Sequence, residues 1–236
     1  MLFGNKEDFE AFFFDFDGVL ADSVNVKTQA FGRLFESFGE DIQAQVVQHH
    51  LHHGGMNRFD KFRYYYQEFL RQPLAEEEMI NLCQRFSQLV VDSVVAAPEI
   101  PGVGGFLQSY YDRMLCFVVS ATPEEEIIHI VERRGWRKYF REVLGAPAKK
   151  DQNLGVLLQR YALPPGRCLF FGDAESDFNA ARKWGVPFLG ILPGPDAPLL
   201  KIAPKISWVR DFHEVARLLH PDRDLQRSQG PPGDQE

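Results

Sequence analysis

The first strong signal along the chain is an apolar run that ends in acid. Residues 12–17 (FFFDFD) read as a short buried strand, dense in aromatic residues and bounded by Gly18. Residues 25–38 then carry apolar side chains at helical spacing, with Val26, Ala30, Leu34 and Phe38 on one face. From about Asp41 to Ala97 the pattern stays helical and is rich in Gln, His and aromatic residues. Phe59, Phe62, Tyr66, Phe69 and Leu70 form one helix face there, ended by Pro73. Ile80, Phe86 and Leu89 supply the inner face of a second helix over 76–95. Pro98 and Pro101-Gly102 mark a change of rhythm. Beyond them strands at 115–119, 142–144, 168–171, 186–192 and 206–209 alternate with helices at 123–134, 154–161, 175–184 and 212–219.

Strands alternating with helices imply right-handed crossovers and a parallel sheet covered on both faces. The expected fold class is therefore α/β, a Rossmann-like parallel sheet with helices on both faces plus an inserted all-helical domain. The core would comprise 1–22 and 98–220, and the insertion 23–97. The tail over 221–236 is polar with Pro and Gly, a composition that predicts disorder.

Composition narrows the function classes. The 236 residues are 44% hydrophobic and 25% charged, ordinary for a globular protein, with a net charge of -7. No dense Lys/Arg stripe accompanies that charge, so a nucleic-acid partner is not expected. The N-terminus lacks a basic segment followed by a signal-length apolar core, and no run is long enough for a membrane span. A cytoplasmic location without membrane attachment is the expectation. Cys83, Cys116 and Cys168 are far apart, show no CxxC spacing, and read as small hydrophobes in a reducing compartment.

In open parallel sheets, ligands bind at the carboxyl ends of the strands. The polar residues that end these strands form one set. The first strand ends in Asp15-Phe16-Asp17-Gly18, the second in Ser120-Ala121-Thr122, and the fourth in Gly172-Asp173 with Asp177 four residues on. Lys149 and Lys150 follow the third. Alone, the Asp15/Asp17 pair is as readily a solvated loop end or a structural calcium site. At the end of so apolar a strand, function explains it better: two close acids require a cation or a shared proton. A hard divalent cation satisfies them, with Asp173 as a further ligand, and Mg2+ suits a site of few carboxylates plus phosphate. A carboxylate can then attack phosphorus while its partner exchanges protons with the leaving group and with water. Thr122-Pro123-Glu124-Glu125 reads as a helix start with Thr122 as N-cap, and Ser120 as a phosphate contact. Either lysine can neutralise the transferring group. Asp177 sits one helical turn beyond Asp173, and is equally well explained as an acid favoured by the helix dipole.

These residues resemble the four motifs of the haloacid dehalogenase superfamily, and the resemblance covers nearly the whole chain. The segments are 15–23 (DFDGVLADS), 118–122 (VVSAT), 146–150 (APAKK) and 172–177 (GDAESD). The third, in its Pro-x-x-Lys form, selects Lys150 over Lys149. The resemblance implies Asp15 as nucleophile and metal ligand, and Asp17 as acid/base with its carbonyl on the metal. It implies Ser120 and Lys150 as phosphate contacts, Asp173 and Asp177 as further metal ligands, and magnesium as cofactor. Gly18 and Ala121, beside these groups, join the substrate-binding candidates. The insertion resembles a helical cap of the C1 type, which closes over the core and selects the substrate. Dehalogenase members lack the second acid, as do phosphonatases, so Asp17 argues for phosphate-ester chemistry.

Within the insertion, His49, His52 and His53 can share a helix face, though no catalytic step calls for a transition metal. Residues 54–58 (GGMNR) resemble the specificity loop of related capped enzymes, with Asn57 where a serine is usual. Arg58 and Lys61 are the candidates for holding a second anionic group, against a solvated surface. Tyr64, Tyr65 and Tyr66 read as packing within the insertion. The expected function is hydrolysis of a small phosphorylated metabolite, in the group of phosphoglycolate phosphatases and β-phosphoglucomutases. The alternatives are a phosphomutase and a catalytically silent binding module. The sequence carries no signal that separates a monomer from a homodimer.

Overall fold

The computed structural model describes residues 9–219; the 221–236 segment expected to be disordered lies outside the described residues. Six strands form one parallel sheet in the order β3-β2-β1-β4-β5-β6. They are β1 (Ala11–Phe14), β2 (Leu115–Pro123), β3 (Glu142–Ala146), β4 (Cys168–Gly172), β5 (Phe188–Ile191) and β6 (Trp208–Val209). The expected α/β class holds, with the helical insertion between β1 and β2.

β1 is central, in register with β2 through Phe13 and Phe117 and with β4 through Phe13 and Phe170. Its residues alternate between two cores, as strand geometry requires. Phe12 and Phe14 join Phe171, Phe106 and Phe212 on one face, under α5 (Val103–Tyr110) and α10 (Phe212–Leu219). Ala11 and Phe13 join Phe117, Phe170, Leu154 and Ala181 on the other, under α7 (Lys150–Arg160) and α8 (Glu175–Trp184). Phe14 stacks on Phe171 at 5.0 Å and Phe13 on Phe117 at 5.2 Å. Such pairs add about 0.5–1.5 kcal/mol each beyond burial.

The insertion comprises α1 (Val24–Phe35), α2 (Glu40–His52), α3 (Arg58–Tyr64) and α4 (Glu76–Ala96). It is tied to the core through α6 (Glu124–Arg133), which packs on α4. Just beyond α6, the Arg134 guanidinium donates to the carbonyls of Val94, Val95 and Ala97, at 2.9, 2.9 and 2.7 Å. It thereby satisfies the open C-terminal carbonyls of α4. The insertion also meets the core at Gly55, where a Cβ would come within 2.0 Å of Ser176 Oγ and 2.9 Å of Ala174 Cβ. Only glycine admits so close an approach.

Several expectations need correction. β1 stops at Phe14, so Asp15 and Asp17, read as the end of the strand, lie in the loop beyond it. The helix expected over 25–38 ends at Phe35 and passes into a tight 3-10 turn, which leaves Phe38 40% exposed. In α4 the inner face is Leu82, Phe86, Val90 and Val94 at strict four-residue spacing, while Ile80 is 52% exposed. A single π turn over Tyr65–Phe69 follows α3 and ends the helix before Pro73, with Leu70 N–H donating back five residues to Tyr65. Tyr65 is thereby buried while Tyr64 stays partly exposed. α6 starts at Glu124 with Pro123 before it, so Thr122 belongs to β2 and caps no helix. α5 and the short α9 (Pro198–Ile202) carry no clear periodicity in a Gly- or Pro-rich context and escape a sequence reading.

Phe171→Ala should destabilise the protein by about 3–5 kcal/mol, because it removes a ring shared by several aromatic neighbours. Ile80→Ala should cost under about 0.5 kcal/mol, since its side chain is largely in water. Urea unfolding of the two variants distinguishes these outcomes.

Candidate active site

Asp15 follows the last residue of β1, and its N–H donates to the Phe171 carbonyl at 2.9 Å, which carries the strand pairing one step further. The chain then turns at Gly18, whose φ of +79° is a left-handed conformation that glycine adopts without strain. A Cβ there would stand 2.5 Å from Asp173 Oδ2, so the turn also gives the second acidic loop its place. Asp173 follows β4, and Asp177 lies in the first turn of α8. One carboxylate oxygen from each of Asp15, Asp173 and Asp177 lies within 4.8 Å of the others.

Lys150, the first residue of α7, enters this group from the side. Its Nζ lies 2.9 Å from Asp15 Oδ1 and 2.6 Å from Asp177 Oδ1, and all three side chains are nearly fully buried. Lys149 is exposed. The remaining oxygen of Asp177 accepts from the Ala174 N–H at 3.1 Å, so this acid closes the first turn of its helix as well as facing the site. Ser120 is fully buried within β2, and its Oγ accepts from the Thr122 N–H at 3.1 Å.

The electrostatics follow from burial. Burial pushes Asp15 up to about 7; Lys150 opposes this, and Asp177 and Asp17 add to it. Asp173 is pushed well above the ordinary carboxylate range by burial, then by Asp15 and Asp177. Burial works against the Lys150 charge, yet Asp15 and Asp177 hold its ammonium above the usual lysine range. Three acids around one ammonium, two of them pressed toward protonation, lack positive charge, and their oxygens are hard donors in one small volume. The donor set therefore fits a divalent cation.

Asp17 is placed differently. Its carboxylate pairs with Lys27 of α1 and accepts from Ser23 Oγ at 2.6 Å. Lys27 Nζ also donates to Thr122 Oγ1 at 2.7 Å. Burial alone would raise Asp17, but Lys27 and Ser23 together bring it below its ordinary value. Lys27 is the site residue that the sequence reading missed. The signal was present: Lys27 lies four and seven residues before Phe31 and Leu34, both buried, so a lysine sits on the inward stripe of α1.

A cleft of about 900 Å³ opens above these groups, between the sheet edge and the insertion. Asp15, Asp17, Gly18, Ala121 and Asp173 line it from below, Arg58 and Lys61 from the insertion. Arg58 is engaged: its guanidinium forms a two-pronged pair with Glu126 of α6, donates to Ser87 Oγ at 2.8 Å, and lies over the Phe86 ring. Lys61 is 1% exposed, with Nζ 2.7 Å from His50 Nδ1. Of the three histidines, His49 and His53 meet at 4.3 Å between ring centres, but the three do not form one ligand cluster. His52 bonds to the Gln48 carbonyl, and His49 stacks on Tyr64. The only His/Cys/Asp/Glu cluster with metal-ligand spacing among the described residues is the aspartate triad.

Comparison with known proteins identifies relatives of this chain. The family model of haloacid dehalogenase-like hydrolases matches residues 12–191. A phosphoglycolate phosphatase of Synechococcus elongatus is 27% identical over 180 residues, which cover 75% of this chain and 81% of that protein. Among solved structures, a β-phosphoglucomutase of Clostridium difficile superposes with TM-score 0.71 at 17% identity, covering 92% of this chain and 99% of that one. A HAD hydrolase of Bacillus subtilis, whose magnesium-bound crystal structure reveals interdomain movement, gives 0.66 at 16%, covering 90% and 99%. Among the described residues no helix is long and apolar enough to cross a membrane.

Lys27→Met should raise the titration midpoint of Asp17, because burial then acts with its main opposing charge removed. In the wild type Asp17 is depressed, so it contributes stability above the ordinary carboxylate pKa, lost as pH falls through its folded value. The variant should lose that acid-side dependence. Carboxyl carbon NMR of the metal-free proteins reads the shift directly; an unchanged midpoint would contradict the assigned pairing.

Proposed function

The chain belongs to the haloacid dehalogenase-like hydrolase family, and on that footing we propose that it is a magnesium-dependent phosphatase acting on a small phosphorylated metabolite. The observation that carries this reading is the position of Asp15, beyond the central strand, bridged by buried Lys150 and grouped with Asp173 and Asp177. Phosphatase relatives such as that of Synechococcus elongatus support the same reading.

In this mechanism an Asp15 carboxylate oxygen attacks phosphorus and the ester bond to the leaving oxygen breaks, giving an aspartyl-phosphate. Lys150 and Ser120, with the N–H of Ala121, hold the phosphoryl oxygens and stabilise the charge that develops there, while the Gly18 N–H closes its own turn on the Ala21 carbonyl at 2.8 Å. Asp17, held as a carboxylate by Lys27 in the free site, takes up a proton as the ester binds and gives it to the leaving oxygen. The carboxylate so formed is stabilised by Lys27, then takes a proton from the water that attacks the phosphoaspartate. Asp15, Asp173, Asp177 and the Asp17 carbonyl would hold magnesium, which supplies charge neutralisation between carboxylates and phosphate. The insertion covers the cleft and keeps bulk water away from the intermediate.

Purified protein should release free phosphate from small phosphate esters with magnesium and none with excess EDTA. Presented with a hexose 1-phosphate and a bisphosphate primer, it should give phosphate rather than the isomeric sugar phosphate. Asp15→Asn should lower kcat by at least about 1,000-fold, since the amide is not a nucleophile. Full activity in that variant would overturn the covalent route, and no release across a broad ester panel would favour a binding role.

A further inference from the structure

β1, β2 and β4 bring polar groups to the carboxyl edge of the sheet, and β5 does not. Gly190 of β5 stands in register with Gly172 of β4, so Ile191, Leu192 and Pro193 leave the sheet beside the loop that carries Asp173. Leu192 turns inward with Ala197, Leu199 and Ala203, a small apolar cluster that pins α9 to the core. With Leu199 held there, Pro198 and Ile202 are left exposed, Ile202 by 53%. A single exposed isoleucine needs no explanation. Ile202 is not single: with Pro193 and Pro198 it lines the cleft above Asp15, together with Val24 and Ile100 near the two chain crossings between core and insertion. Over residues 191–210 every group that lines the cleft is apolar except Arg210.

This apolar flank is continuous with the acidic end of the cleft. A Cβ on Gly18 would stand 2.5 Å from Asp173 Oδ2 and 3.2 Å from Val24 Cγ2, so the wall begins at Val24, directly beside the acids. The Asp22 N–H donates to the Pro98 carbonyl at 2.9 Å and the Ile100 N–H to the Leu20 carbonyl at 3.1 Å, which holds Ile100 against the same turn. The cleft measures about 900 Å³, near the large end of the ~300–1,000 Å³ range of small-molecule sites, and a phosphate group fills only a small part of it. Such sites are mostly apolar, with a few polar groups that fix the reacting end. Water over an exposed apolar wall is released when an apolar group covers it, which favours a ligand with an apolar body over a small polar one.

We infer that the alcohol portion of the ester carries an apolar body, aliphatic or aromatic, which packs on the wall formed by Val24, Ile100, Pro193, Pro198 and Ile202 while the phosphoryl group meets Asp15. The inference rests on reading Asp15 as the phosphoryl site. It makes the segment after β5, a part of the core rather than of the insertion, a determinant of which ester is accepted.

Binding of inert probes tests the wall without requiring turnover. Ethylphosphonate, hexylphosphonate and phenylphosphonate share one head group and differ only in the apolar body. Calorimetry with magnesium should show the wild type binding hexylphosphonate or phenylphosphonate at least about 10-fold more tightly than ethylphosphonate. The better of the two identifies the body as aliphatic or aromatic. Inorganic phosphate should displace it, because the phosphonate head occupies the phosphoryl site. Ile202→Ser should weaken the preferred probe about fivefold while leaving ethylphosphonate within about twofold, and Ile202→Leu should restore the preference. The side chain is largely in water, so the melting temperature of both variants should match the wild type. Equal affinity for the three probes, binding that phosphate does not displace, or a preference that Ile202→Ser leaves intact overturns the inference. A preference of the predicted kind in a protein that releases no phosphate would overturn the phosphatase reading and leave the apolar wall standing.

Discussion

The bridge from Lys150 to Asp15 and Asp177 is the interaction on which the site depends. Three carboxylates converge within a few ångströms at the end of an apolar sheet, and burial drives Asp15 and Asp173 toward their neutral forms. One ammonium, itself buried, holds two of the three in place and supplies too little positive charge for all of them. That deficit makes the site receptive first to a divalent cation and then, through the cation, to phosphate. Asp17 stands outside this balance because Lys27 gives it a cation of its own. Two nearby acids therefore have different surroundings: one sits among repelling carboxylates, the other is paired, and the proposed mechanism has the first meet phosphorus and the second handle protons.

The rest of the fold serves this arrangement. Phenylalanines on both faces of β1 lock the central strands in register, so the loops carrying Asp15 and Asp173 emerge side by side. The turn at Gly18 leaves room for the second of these loops. Contacts that hold the insertion against the core include Gly55 on the start of α8, Lys27 on Asp17, Arg58 on Glu126, and Arg134 on the end of α4. Between them lies the cleft, anionic on the sheet side and cationic on the insertion side.

Much of this was legible in the sequence because the signals were local. Helices 175–184 and 212–219 are delimited by their own turn residues and fall where the periodicity puts them. The acids at strand ends were visible because nothing else breaks such apolar runs. What escaped depends on tertiary context. Val26, Ala30 and Leu34 pack inward on α1 as read, but Lys27 and Phe31 turn inward beside them, where Lys27 reaches Asp17 and Thr122. Ile80 falls outside the core because α4 packs along a stripe of exact four-residue spacing. Thr122 looked like a helix cap and instead extends β2, where Lys27 reaches it. Arg58 and Lys61 are chemically alike on paper; the position of Glu126 makes the first a clamp between insertion and core.

The most direct test of the central claim is to trap the phosphorylated enzyme. The protein is mixed with an excess of a turned-over phosphate ester and magnesium, quenched in acid within the first turnover, digested and examined by mass spectrometry. The account predicts a phosphoryl group on the peptide that spans Phe12–Asp17, with fragmentation placing it on Asp15. A phosphoryl group on any other residue, or phosphate released in the first turnover with no modified peptide at any quench time, would contradict it.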